Sequence, residues 1–108
     1  MSPHHSLDAL HEAVRRGAVQ LSRGSDRDRL NLGYSFEEVR QCLLELTVDH
    51  FRRTHTYDHG KCDDYCLRWK HINQSGETQH DDLYIKVKLT PGPKEEDLVV
   101  VISFHREQ

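Results

Sequence analysis

The chain has 108 residues, with 15 Lys+Arg, 18 Asp+Glu and nine His, a formal net charge of -3 and a pI near 6.3. That length suits one domain, residues 1–108, with a single modest core. Hydrophobic residues at 35% and charged residues at 31% exclude a disordered chain, and the acidic balance argues against a generic nucleic-acid binder, which is usually basic. The longest apolar run, residues 98–102, is far short of the roughly 20 residues that span a membrane. Met-Ser-Pro-His-His at the start carries no apolar segment, so no secretory signal is expected. Three cysteines, Cys42, Cys62 and Cys66, are an odd count, which suggests reduced thiols in a cytoplasm.

The first half reads as helix. Ser6 is a candidate N-cap, with Asp8 in the first turn. Leu7, Leu10 and Val14 recur at helical spacing, Arg15 and Arg16 close the last turn, and Gly17 suits the C′ position. Residues 18–21 predict a short edge strand. Residues 22–33 are polar and predict a loop, with one helical turn over 26–30. Ser35-Phe36-Glu37-Glu38 is a capping box, and Tyr34 can staple onto Val39. Phe36, Val39, Leu43 and Leu46 are the expected buried stripe, and residues 47–50 a turn.

From Phe51 the period becomes two. Strands are predicted over 51–57, 65–72, 83–89 and 98–104, the last apolar on both faces and hence central. Asp58-His59-Gly60-Lys61, residues 73–79 and Pro91-Gly92-Pro93 are the turns and loops. Asp63-Asp64 reads as turn chemistry, Asp81-Asp82 as a strand start, and residues 94–97 as a solvated loop tip. The fold class is α+β: N-terminal helices packed on a C-terminal antiparallel β-sheet of three or four strands.

The last two strands place a polar face. If Leu89 pairs with Leu98, Tyr84 lies opposite Ser103 and Asp82 opposite His105. Tyr84, Lys86, Ser103 and His105 then share one face, while Leu83, Ile85, Val87, Ile102 and Phe104 face the helices. A one-residue slip would invert this. A phenol, an amine, a hydroxyl and an imidazole can do acid–base chemistry at a phosphate. An ordinary solvated sheet face is also polar.

At these residues the chain resembles a known family. Leu32-Gly33-Tyr34-Ser35-Phe36, Leu44-Glu45-Leu46-Thr47-Val48-Asp49-His50-Phe51, Thr56-Tyr57-Asp58-His59, Leu83-Tyr84-Ile85-Lys86-Val87 and Val101-Ile102-Ser103-Phe104 are similar to segments of the MqsR-type toxins of bacterial type II toxin–antitoxin modules. The segment order matches from about Leu7 to Arg106. The resemblance implies a RelE/YoeB-like fold, a metal-independent, sequence-selective messenger-RNA endoribonuclease that halts translation and growth, no cofactor, and a cognate antitoxin protein as partner. No membrane and no direct DNA contact are expected. The family's candidate catalytic tyrosine falls on Tyr84. The basic residue after the terminal Ser-Phe, usually lysine, is His105. The lysine opening the first sheet strand falls on Arg52, and the glutamine of the next strand falls near Asp64. Tyr84, His105, Arg52 and Lys86 are therefore the candidate catalytic residues. Arg53, Arg68, Lys70 and Lys88 are the candidate RNA-binding residues.

Two other constellations stand beside this. His55, His59, Cys62 and Cys66, spaced H-x3-H-x2-C-x3-C, are competent zinc ligands; exposed histidines and half-buried thiols would read the same way. Arg52, Arg53, Arg68 and Lys70 could line an RNA groove with Trp69 or Tyr57 as a stacking surface, or be ordinary solvated charge. Cys42 is expected in or near the core. Asp64 and the net negative charge motivate a second class of function: a non-catalytic interaction protein on the same fold, a degenerate toxin that binds an antitoxin-like partner.

Overall fold

The computed structural model describes residues 2–73, 75–94 and 96–107. Three helices come first: α1 (Leu7–Arg15), α2 (Arg23–Leu32) and α3 (Phe36–Glu45), with β1 (Val19–Leu21) between the first two. A 3₁₀ turn (Val48–His50) leads into β2 (Phe51–Tyr57), β3 (Gly60–Ile72), β4 (Thr78–Pro91) and β5 (Asp97–Arg106). The five strands form one sheet in the order β1-β5-β4-β3-β2. β2 to β5 are an antiparallel meander, and β1 adds to β5 in parallel. The fold is α+β as expected; the short edge strand expected over 18–21 is β1, and it joins the antiparallel meander in parallel. Among the described residues, no helix is long and apolar enough to cross a membrane.

Local chemistry sets the helices. The Ser6 hydroxyl accepts the Ala9 amide, and Gly17 takes the left-handed turn (φ 78°) that ends α1. Ser35 and Glu38 make the expected capping box of α3. Two expectations fail here. The segment 22–33 is not a loop: α2 occupies ten residues, capped by Ser22 and ended by Gly33 at φ 81°. Its one buried residue is Ser25, so hydrogen bonds hold it where the sequence offers no apolar stripe. The Ser22 hydroxyl donates to the Ile102 carbonyl, and the Ser25 hydroxyl to the Val101 carbonyl. Phe36 is 41% exposed rather than buried. Tyr34 fills the core instead, its ring 4.8 Å from His71 and 5.6 Å from Phe104. The buried face of α3 is Val39, Cys42, Leu43 and Leu46.

One face of the sheet packs the helices through Tyr65, Leu67, Leu83, Ile85, Val87, Val99, Val101 and Phe104, against Leu10, Ala13 and Val14 of α1 and the stripe of α3. The β4–β5 register differs from expectation. Leu89 pairs with Val99, then a bulge at Lys86/Val87 brings Tyr84 opposite His105 and Lys86 opposite Ser103. The bulge adds one residue, so parity is restored toward the strand end. Tyr84, Lys86, Ser103 and His105 therefore share a face although the pairing was off. Ile102 is displaced from the core set, and Val99 and Val101 take the inward places. The carbonyls pinned by Ser22 and Ser25 sit at this bulge.

Neither acidic pair is what its sequence suggested. Asp63 and Asp64 are buried within β3, and Asp81 is buried inside β4, which begins at Thr78. Asp63 accepts the His4 and His5 amides and the Thr54 hydroxyl, which ties the N-terminal segment to the sheet. Asp81 accepts the Tyr34 hydroxyl at 2.6 Å, with His71 and Gln79 beside it. In the loop 92–96, Glu95 lies outside the described residues, while Glu96 pairs with Arg16 at 3.0 Å.

Candidate active site

The sheet face turned away from the helices carries a row of side chains from four strands. Alternation along β3 puts Asp64 and Cys66 on this face while Tyr65 faces the core. The same alternation on β4 and β5 presents Tyr84 and His105. Arg52, Asp64, Cys66, Tyr84, His105 and Glu107 line an open cavity of about 460 Å³. A larger cavity, about 540 Å³, opens beside the end of α2 and His71. Among the described residues, its lining includes no Lys or Arg to meet a phosphate.

Asp64 organises the row. One carboxylate oxygen lies 2.8 Å from both the Tyr84 hydroxyl and His55 Nε2, and the other accepts the Arg53 amide at 2.8 Å. Burial alone would raise this carboxyl, but the His55, Tyr84 and Arg53 hydrogen bonds outweigh it and hold the group below its ordinary range. Burial first, then the hydrogen bond and charge of Asp64, push the Tyr84 phenol well above its ordinary range. The phenol therefore keeps its proton and acts as a donor. Its ring stacks on His105 at 5.1 Å and 19°. His105 Nδ1 lies 2.8 Å from the Arg106 carbonyl. A carbonyl only accepts, so Nδ1 carries the hydrogen and Nε2 is left free to exchange a proton. Cys66 also lines the cavity. Burial pushes its thiol up, and Glu107 adds to the rise while Arg52 opposes it.

The candidate residues are brought together unequally. Arg52, Tyr84 and His105 meet in the cavity. Lys86, one row away, donates to the Tyr57 hydroxyl at 2.8 Å. Arg53 lies beside His55, its Nε 3.3 Å from His55 Nε2, and Lys88 reaches His59 Nδ1 at 3.2 Å. The basic cluster read from sequence is split. Arg68 pairs with Asp82 across the sheet, and Lys70 lies opposite His80, four residues along β3 from Cys66, or roughly 13 Å. Trp69 is buried on the helix face and cannot stack on a ligand, whereas Tyr57 is exposed.

The proposed zinc ligands do not converge. His55 turns to Asp64, His59 to Lys88, and Cys62 is fully buried. Among the described residues, no group of three or more His, Cys, Asp or Glu is placed to hold a metal ion. All three cysteines are free thiols.

Two residues near or in the cavity were not legible as site residues: His55 resembled a metal ligand, and Glu107 lies beyond the last apolar residue. Residue periodicity read Asp64 as turn chemistry, and only the resemblance placed it at a site position. The strand parity of 64, 66, 84 and 105 was the available signal.

Comparison with curated proteins returned no significant match. The chain matches, over residues 2–106, the model of the family described as motility quorum-sensing regulator, toxin of MqsA. With nearly every residue covered, and with helices first and the sheet after them, the chain belongs to this family of toxins from toxin–antitoxin pairs.

Proposed function

We propose that this toxin is a messenger-RNA endoribonuclease that uses its own side chains as acid, base and cation, and acts in the cytoplasm. The observation that carries this reading is the convergence of Arg52, Tyr84 and His105 on one open cavity, with His105 fixed so that only Nε2 is free. In the reaction, a 2′-hydroxyl attacks the adjacent phosphorus. The Glu107 carboxylate takes the hydroxyl proton as the O2′–P bond forms. His105, protonated at Nε2, donates to the 5′ oxygen as the P–O5′ bond breaks. The products are a 2′,3′-cyclic phosphate and a 5′-hydroxyl. Arg52 neutralises the charge that builds on the phosphoryl oxygens. Tyr84 donates a hydrogen bond and does not carry the proton. Lys86 adds positive charge beside the cavity. Arg53 and Lys88 extend it along the sheet, and Arg68 and Lys70 hold the backbone further out.

The non-catalytic reading rested on Asp64 and the net charge. Asp64 is engaged by three hydrogen-bonding partners, so its carboxylate serves to hold His55 and Tyr84 and gives that reading little support. The test is purified protein with RNA, beside His105→Ala. Loss of an acid catalyst should lower cleavage by about 10²–10⁴-fold. Equal cleavage by both proteins would remove His105 from the reaction. Induced expression of the wild type should arrest growth, and co-expression of the antitoxin partner should relieve it.

A further inference from the structure

We propose that Tyr57 and His59, with Lys86 and Lys88 reaching over to them, form a base-stacking subsite for single-stranded RNA next to the catalytic cavity. The proposal rests on the ribonuclease reading and adds the path of the substrate across the sheet.

The rings form a ladder along β2 and into its turn. His55 and Tyr57 are stacked at 6.0 Å and 15°, and Tyr57 and His59 at 5.0 Å and 11°. The neighbouring strand makes the ladder reachable from β4. β3 offers Gly60, Cys62 and Asp64 in its outward positions, all short. Cys62 is completely covered, and Lys86 and Lys88 act on its thiol. Long β4 side chains therefore cross over β3. Lys86 donates to the Tyr57 hydroxyl and holds its ammonium 5.2 Å from the Tyr57 ring centroid. The Lys88 ammonium only donates, so His59 Nδ1 accepts from it.

Packing does not account for this ladder. It stands on the face opposite the core, Tyr57 is 38% exposed, and no buried apolar residue belongs to it. Rings with cations at their edges suit one class of ligand. A single strand offers π-faces for the rings and phosphates for the ammonium groups, and its bases are free to splay. The ladder also joins the cavity without a break, because Asp64 contacts both His55 and Tyr84. Tyr57 stacks on a histidine at each side, so a nucleotide bound at the scissile position would have its neighbour stack on the ladder at its His59 end, with Tyr57 holding that ring in place.

The probe is a short fluorescein-labelled 2′-O-methyl oligoribonucleotide of mixed sequence, which lacks the attacking hydroxyl. Binding is read by anisotropy at several salt concentrations for wild type, Tyr57→Ala, Tyr57→Phe and His59→Ala. Tyr57→Ala should bind about 5- to 150-fold more weakly, the range for losing one stacked base, with an unchanged salt slope. Tyr57→Phe should keep most of the affinity, and His59→Ala, a change in a turn, should lose part of it. The same oligomer with abasic residues should bind wild type about as weakly as the intact one binds Tyr57→Ala. Wild-type affinity in Tyr57→Ala, or equal binding of abasic and intact oligomers, would overturn the subsite. If the wild type cleaves RNA and Tyr57→Ala matches its affinity, the subsite alone fails. If the wild type binds no oligomer even at low salt, the ribonuclease reading fails with it.

Discussion

Asp64→Asn tests the centre of the site, because it keeps the shape and removes the charge. The side chain is almost fully buried, and both of its oxygens are engaged. The amide oxygen can still accept the Arg53 amide. The amide nitrogen then faces the Tyr84 hydroxyl and His55 Nε2, where an acceptor stood. Three charge-assisted hydrogen bonds become neutral or are lost. Charge-assisted bonds contribute about 1.5–3 kcal/mol and neutral ones about 1, so the expected loss is about 1–3 kcal/mol at pH 7. For a chain of this size that corresponds to a fall in Tm of roughly 5–15 °C. The pH dependence is the sharper part. The Asp64 carboxyl is held below its ordinary range in the folded state, while the unfolded value is about 3.9. Its stabilisation is therefore complete above the unfolded value and is lost as pH falls through the folded one. Asp81 behaves in the same direction, so the wild-type acid limb mixes both groups. The difference between wild type and Asp64→Asn isolates Asp64. Circular-dichroism melts from pH 7 downward should show that difference closing on acidification. A gap that stays constant to the acid limit, or a variant as stable as wild type at pH 7, would refute the argument.

Other outcomes follow from the same structure. Tyr34→Phe deletes the buried 2.6 Å hydrogen bond to Asp81 and should cost about 1–2 kcal/mol by denaturant titration, because His71, Gln79 and Arg106 still face that carboxylate. Gly33→Ala places a Cβ at φ 81°, where space is open but the backbone is unfavourable, so a loss of about 1 kcal/mol is expected from the left-handed conformation alone. Native-state thiol labelling should modify at most Cys66, since Cys42 and Cys62 are buried and burial pushes their thiols up; rapid modification of two thiols would contradict the packing.

What the sequence shows depends on which force holds each part. The boundaries of α1 and α3 were legible because caps and apolar stripes fix them: Ser6, the Ser35–Glu38 box, and Val39, Leu43 and Leu46. α2 was not, because its docking uses the Ser22 and Ser25 hydroxyls on backbone carbonyls of β5, and hydrogen bonds leave no hydrophobic period. Phe36 was misplaced because periodicity ranks positions without knowing that Tyr34 already occupies the core beside Phe104. The shared face of Tyr84, Lys86, Ser103 and His105 survived a wrong register because the bulge restored parity. Asp64 and Asp63 looked like turn residues because two adjacent acids rarely lie buried in a strand. Their partners, the Arg53, His4 and His5 amides, are invisible to side-chain patterns.

The overall charge of -3 therefore says little about the face that would meet RNA. Glu37, Glu12, Asp26 and Glu96 each lie in an ion pair with an arginine of the helical half. Asp63 and Asp81 are buried among donors. On the open sheet face, Asp64 is held by its three donors and Glu107 lines the same cavity, while Arg52, Arg53, Lys86 and Lys88 are gathered around the cavity and the ladder. Over the Debye length of about 8 Å at physiological salt, a phosphate at the cavity responds to these neighbours and only weakly to acids on the far side. Asp64 enters that face with its oxygens already engaged by donors. That saturation makes Asp64 a fixed anchor that holds His55 and Tyr84, and under the proposed mechanism it leaves proton transfer to His105 and Glu107.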